Sequence, residues 1–251
     1  MLDLIEAIVG MTAVAINLVA FTAVLPGPPA RRLILAGVAG AWVGLASGLG
    51  AAGALDFSPN QPVPLIGVLF ATPLLMVGAL ALIYPGLRTA LLAVPMPLLI
   101  GLNAMRMLGV MFLLLTAAGR LSGPFPWSAG FGDIITGVLA IPLAMRVARS
   151  AQRPTRAIAR WNMFGILDLV VAIGLGITSA AGSPLQLIHA GVGSQAMQQL
   201  PFCLVPTVLV PFYLITHGII AAQLRAARAS GAWGQLPIGW APAGACRGDH
   251  D

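Results

Sequence analysis

Seven apolar runs of about twenty residues dominate this sequence, and the short gaps between them hold nearly all of its charge. A helix needs about 20 mostly apolar residues to cross the hydrocarbon core of a bilayer. Inside that core every backbone polar group must be satisfied within the protein, which leaves helices as the natural spanning element for such runs. The runs cover about 5–25, 33–55, 64–84, 98–118, 129–147, 161–180 and 200–222. They predict an all-α fold, a polytopic transmembrane bundle of seven spans over residues 1–222. Residues 223–251 are rich in Gly, Ala and Pro and read as a flexible cytoplasmic tail, with Trp233 and Trp240 placed to rest on lipid headgroups. Only 8% of the residues are charged and 59% are hydrophobic, against roughly 25% charged in a soluble domain. This excludes an ordinary soluble domain, a disordered chain and a disulfide-stapled secreted domain.

One segment is less regular. Pro95 and Pro97 interrupt the apolar stretch before the fourth span. Residues 87–98 therefore read as a short interfacial piece, and whether they form a separate membrane segment is left open. The N-terminus begins with acidic Asp3 and Glu6, whereas a secretory signal peptide begins basic, so the first run is expected to be a retained helix. The longest inner gap is too short to hold a further domain.

The basic residues, all Arg, orient the bundle. Alternate gaps carry Arg31 and Arg32, then Arg88, then Arg146, Arg149, Arg153, Arg156 and Arg160, then Arg225 and Arg228, while the opposite gaps hold Arg120. Short cytoplasmic loops carry the excess of Lys and Arg. The N-terminus is then outside and the C-terminus in the cytoplasm. The net charge of +6 follows from this topology and implies no nucleic-acid partner, because the Arg residues sit between apolar runs rather than on an exposed polar surface.

Three charges fit no gap: Arg106, Asp133 and Asp168. Each costs about 2.5–3.5 kcal/mol at a helix centre on insertion scales, so each should face the bundle interior. Counted from the same face, Arg106 and Asp168 lie about 12 and 10 Å deep, and their opposite charges predict a pair. Asn103 stands one turn from Arg106 and is expected to join it. Asp133 is expected nearer the outer surface, either answering Arg120 at the rim or lining an outward vestibule. His217 is expected near the inner end of the last span as a hydrogen-bonded interfacial residue, with Asn162 and Trp161 at the same level. Two readings follow. In one, these groups are a midplane polar site for a small solute or a proton, with Asp133 the outer entrance and His217 the inner exit. In the other, the ion pair only fixes helix register.

Glycines add a second pattern. Gly40, Gly44 and Gly48 share one face of the second span, and Gly165 and Gly176 one face of the sixth. Such stripes let backbones approach closely. They serve either packing within the bundle, the expected role, or a homo-oligomer or membrane partner docked on the second span. Pro206 and Pro211 in the seventh span free backbone carbonyls, which either accompany a simple bend or face an ion or solute.

Several chemistries find no support. A chain without Lys cannot form a retinal Schiff base. No nucleotide loop, Gly-x-Ser-x-Gly or His-Glu-x-x-His is present, and Cys203 and Cys246 show no metal-ligand spacing. No cofactor, metal or catalytic residue is assigned, and the lipid bilayer is the one partner the composition requires.

Residues 130–217 carry a resemblance. Gly-Phe-Gly-Asp-Ile-Ile-Thr-Gly at 130–137, Arg160-Trp161-Asn162 with Gly165 and Asp168, Leu200-Pro201, Pro206-Thr207 and Val210-Pro211 before His217 resemble a group of uncharacterised bacterial seven-helix integral membrane proteins. The resemblance implies a multi-pass protein of the bacterial cytoplasmic (inner) membrane. The group has no established activity, so it brings no residue roles. The functional expectation is small-solute or proton-coupled binding and transport. The alternative is a non-catalytic membrane subunit or scaffold that packs a partner helix through its glycine stripes.

Overall fold

A computed structural model describes residues 2–57, 64–150 and 154–229. Trp233, Trp240, Cys246 and the tail from 230 onward lie outside the described residues, as do Arg153 and the side chains of Asp3 and Glu6. The described chain is helical: α1 (Leu2–Val24), α2 (Pro29–Ala51), α3 (Leu65–Ile83), α4 (Pro85–Leu92), α5 (Met96–Leu102), α6 (Val110–Ala117), α7 (Phe125–Arg149), α8 (Thr155–Ser179) and α9 (Val210–Ala229). A 3₁₀ segment, Asn103–Gly109, joins α5 to α6 in one continuous rod, and a π turn, Val205–Leu209, leads into α9. Seven of these segments are long and apolar enough to cross a membrane, and the protein is a multi-pass membrane protein.

The irregular stretch before the fourth span resolves simply. Pro85 stands in the first turn of α4, where a missing N–H costs nothing, and the helix ends at Leu92 before Pro95 restarts the chain. Eight residues rise about 12 Å, too little to cross a bilayer. Residues 87–98 thus hold a short helix and the start of the next, and no separate span.

Two boundaries differ from the sequence expectation in ways that matter. The fifth span begins at Phe125 instead of 129, because Pro126, Trp127 and Ser128 form its first turn. The seventh runs as a helical rod from Val205 to Ala229 instead of 200–222. Arg225 and Arg228 ride on its last turns, as Arg146 and Arg149 ride on α7 and Arg156 and Arg160 on α8. At the C-terminal ends of α7 and α9 basic side chains complement the negative end of the helix dipole, and at either end their stems extend over apolar surface, so a helix need not stop where its charge begins.

The rod α5–α6 and α9 form the centre. They bury 44% and 50% of their most apolar stretches, whereas α3 buries 6% and α2 11%. α7 packs on the rod and on α8, and α8 packs on α9. One apolar cluster joins Leu99, Ile100, Ala140, Ile158, Trp161 and Ile220. A second joins Phe112, Leu115, Phe125, Ala129, Met197 and Phe202. Along the rod, α7 and α8, the interior charge falls between these two plugs.

The glycine stripe of α2 faces away from the bundle. A side chain added at Gly37, Gly40, Gly44 or Gly48 would meet nothing within 4 Å. α2 touches its neighbours through the opposite face instead: Ala46 and Gly50 are buried, and Trp42 Nε1 donates to the carbonyl of Thr207 at 3.0 Å. The expectation that this stripe packs within the bundle is therefore corrected. The contact with Thr207 also bears on Pro211. Pro211 has no N–H to offer the carbonyl four residues back, and Trp42 satisfies it from another helix.

Candidate functional site

Arg106 is the hub of a buried polar cluster. Its side chain is fully covered, and every guanidinium nitrogen has a partner. Nε donates to Asp133 Oδ1 at 2.6 Å. The second nitrogen meets Asp168 Oδ2. The third approaches His217 Nε2 at 3.2 Å and the carbonyl of Gly165 at 3.4 Å. The guanidinium carbon also lies 5.7 Å from the ring centroid of Tyr213. Arg suits this place because its planar fork can meet two carboxylates at once.

Local structure puts Arg106 there. Asn103–Gly109 winds as 3₁₀ helix against α7, and the contact is made by glycines. An added Cβ at Gly109 would lie 2.5 Å from Asp133 Cβ, and one at Gly137 would lie 2.6 Å from the Met107 nitrogen. Gly132 leaves room for the Asp168 carboxylate, and Gly165 leaves room for His217, whose Cε1 would lie 2.5 Å from an added Cβ. Gly176 packs more loosely against Phe125, at 3.4 Å. The stripes of α7 and α8 therefore build the site, unlike that of α2.

His217 stands at the midpoint of the rod Val205–Ala229, twelve residues from either end. This corrects the expectation of an inner-end position, which followed from stopping the span at 222. Its Nδ1 lies 2.8 Å from Asn162 Oδ1, and Asn162 Nδ2 donates to the carbonyl of His217 at 3.3 Å. The amide is thereby oriented with its oxygen toward the ring. Nδ1 carries the proton, and Nε2 offers a lone pair to Arg106, which can only donate. The imidazole is neutral in this network. Trp161 flanks it with ring centroids 5.2 Å apart and donates its own N–H to the carbonyl of Thr136 at 3.0 Å.

Asp133 is also deeper than its expected place. Counted from Phe125 it is about 12 Å into the helix at 1.5 Å per residue, at the level of Arg106. It binds that residue, while the guanidinium of rim residue Arg120 lies 5.1 Å above the ring of Phe202. Asn103 does not join the cluster through a hydrogen bond. It bonds back to the carbonyl of Leu99 at 2.9 Å and reaches Thr216 Oγ1 at 3.5 Å. Its own helix claims the donor.

Two cavities adjoin the cluster. One of about 130 Å³ is lined by phenylalanine rings and by Asp133. The other, of about 90 Å³, is lined by Arg106, Asp133 and Tyr213 among apolar neighbours. Asp133 borders both. Its side chain is 18% exposed, against 6% for Asp168 and 0% for Arg106, so it is the carboxylate a ligand would meet.

Tyr213, Asn17 and Gly109 are not singled out by sequence, and Gly132 enters only as part of the 130–137 stretch. Asn17 donates to the Tyr213 hydroxyl at 3.1 Å, which ties α1 to the site. Neither residue carries a charge or a motif. Only the Asp168 carboxylate, which an added Cβ at Gly132 would strike, reveals the use of that glycine.

No curated protein and no solved structure matches the chain. A family model described as Domain of unknown function (DUF8737) matches residues 63–225, which contain Arg106, Asp133, Asn162, Gly165, Asp168 and His217. That match covers well over half of the sequence, and the chain belongs to the DUF8737 family.

Proposed function

We propose that this protein binds a small solute at the cluster around Arg106 and moves it across the membrane in exchange for a proton. The observation that carries this reading is a charge count. Arg106 supplies one positive charge, and Asp133 and Asp168 supply two negative ones when both are ionised. His217 adds none, because its hydrogen bonds make it neutral. A net charge buried between apolar plugs is costly. The site is relieved by one proton on a carboxyl or by one cation beside it, and the two are interchangeable at Asp133. Exchange of one for the other at a midplane group is a means of coupling.

The Arg distribution supports the accompanying topology: N-terminus outside, C-terminus in the cytoplasm, in a bacterial inner membrane. The test is flux. Protein in proteoliposomes is loaded with a pH-sensitive dye and screened against small solutes, with Asp133→Asn and Asp168→Asn in parallel. Solute-dependent proton movement lost in Asp133→Asn is expected. Equal flux in the native protein and both variants overturns the reading.

A second reading has its own support. The open face of Gly37, Gly40, Gly44 and Gly48 suits a partner helix, as a non-catalytic subunit or homo-oligomer would need. In that case the buried cluster holds register alone. Cross-linking from Gly44→Cys in membranes, against the same variant with bulky Gly40→Leu and Gly48→Leu, separates the two.

A further inference from the structure

The larger cavity indicates which solute the site takes. Its wall is apolar, with Phe57, Phe70, Phe112 and Phe125 among aliphatic side chains, and Asp133 is the one charged side chain lining it among the described residues. Gln198 lines it as well and is 2% exposed. Its Oε1 accepts from the Phe57 N–H at 3.0 Å, while its Nε2 has no hydrogen-bond partner among the described residues. The cavity holds about 130 Å³, close to the roughly 150 Å³ of an apolar cavity that takes benzene.

From this lining we infer that the ligand is a small organic monocation, an ammonium carried on a hydrocarbon of about benzene size. This rests on the solute-binding reading above. The carboxylate of Asp133 attracts a cation, and an apolar wall favours a ligand whose remaining surface is hydrocarbon. An anion would be repelled by ionised Asp133. A neutral ring leaves the proton on the carboxyl, so it gains nothing from the carboxylate and releases no proton. Before binding one proton sits on the carboxyl of Asp133; the ammonium takes its place, the proton leaves to solvent and the carboxylate left behind pairs with the ammonium, so the net charge of the site is unchanged.

The experiment uses three probes of one shape: benzylammonium, benzyl alcohol and benzoate. Binding to the full chain in lipid nanodiscs is measured by equilibrium dialysis, and proton release by a pH indicator in weak buffer. Benzylammonium is expected to bind with proton release, and benzoate not to bind. Asp133→Asn should weaken benzylammonium about tenfold or more, the scale of losing a desolvated charge partner. Ala172 also lines the cavity, and Ala172→Phe, which keeps every charge of the cluster, narrows the space and should abolish binding even if Asp133→Asn fails to fold. Benzyl alcohol binding as tightly as benzylammonium, with no effect of Asp133→Asn, overturns the inference. So does absence of binding by all three probes. If proton flux in proteoliposomes still depends on Asp133 in that last case, the transport reading stands without this ligand class. If that flux is absent too, both fall.

Discussion

His217 Nδ1 and Asn162 Oδ1 lie 2.8 Å apart, and this contact sets the charge of the whole cluster. It commits the imidazole proton to α8 and turns a lone pair toward Arg106. Replacing Asn162 by Leu removes the acceptor and leaves a buried N–H unsatisfied. Such a loss costs about 1–3 kcal/mol, so thermal unfolding in nanodiscs should begin at a lower temperature. The sharper readout is nitrogen NMR of labelled His. Native protein is expected to show a neutral ring protonated at Nδ1, and Asn162→Leu a different tautomer or a mixture. An unchanged His217 signal would show that Asn162 does not set the tautomer.

Arg106 should be the least replaceable residue of the site. Arg106→Met leaves Asp133 and Asp168 facing each other without a counter-charge, and breaking a buried ion pair typically costs about 3–5 kcal/mol. Loss of folded protein from membranes is the expected result. The combined variant Arg106→Met, Asp133→Asn, Asp168→Asn removes all three charges and should recover much of the yield. Size-exclusion profiles after extraction report it. If the single variant behaves like the native protein, the cluster is not the electrostatic hub described above.

Much of this arrangement was legible in the residues, and the reasons for the rest are specific. Arg106 and Asp168 announced themselves because charge is so expensive inside an apolar run. Their depths agreed by counting. Asp133 was equally visible but expected nearer the outer surface, since an apolar count that begins at Ala129 discards the helical turn of Pro126, Trp127 and Ser128. His217 was set near the inner end for the mirror-image reason: Arg225 and Arg228 looked like loop, yet they extend the helix. Hydropathy marks where a bilayer core is apolar, and helices run past that core. The α2 stripe shows another limit. Periodicity reveals that Gly40, Gly44 and Gly48 share a face, but which face meets the bundle depends on Trp42, Ala46 and Gly50 half a turn away.

That difference between stripes gives the cleanest packing test. Gly165→Ala forces a methyl group against His217 and Arg106, and Gly132→Ala forces one against the Asp168 carboxylate. Neither neighbour is free to move, because each is held by the cluster. Overpacking of this kind costs about 1–3 kcal/mol. Gly44→Ala meets open space and replaces a poor helix former by the best one, so its effect should be neutral or slightly stabilising in an isolated copy. Thermal unfolding of the three variants in dilute detergent checks the ranking. A drop in Gly44→Ala confined to native membranes, absent in dilute detergent, would point to a partner on α2. A Gly165→Ala protein as stable as the native one would show that the close approach of α8 to His217 is not required.

The bond from Trp42 to Thr207 is the remaining structural claim open to a single substitution. Trp42→Phe keeps an aromatic ring between α2 and the π turn but removes the donor. The Thr207 carbonyl then loses its indole donor, and Pro211, four residues on, has no N–H to supply in its place. Inside a bilayer water cannot take over cheaply, and the cost should be about 1–3 kcal/mol. Restoring the helical donor tests the cause. In the double variant Trp42→Phe, Pro211→Ala, the new N–H at 211 can serve the same carbonyl, so Trp42→Phe should cost less there than in the native background. Measured as a thermodynamic cycle from unfolding midpoints, the two changes should couple by a sizeable part of that cost. Strict additivity would mean that the Trp42 contribution is packing alone and that the proline-freed carbonyl is satisfied elsewhere.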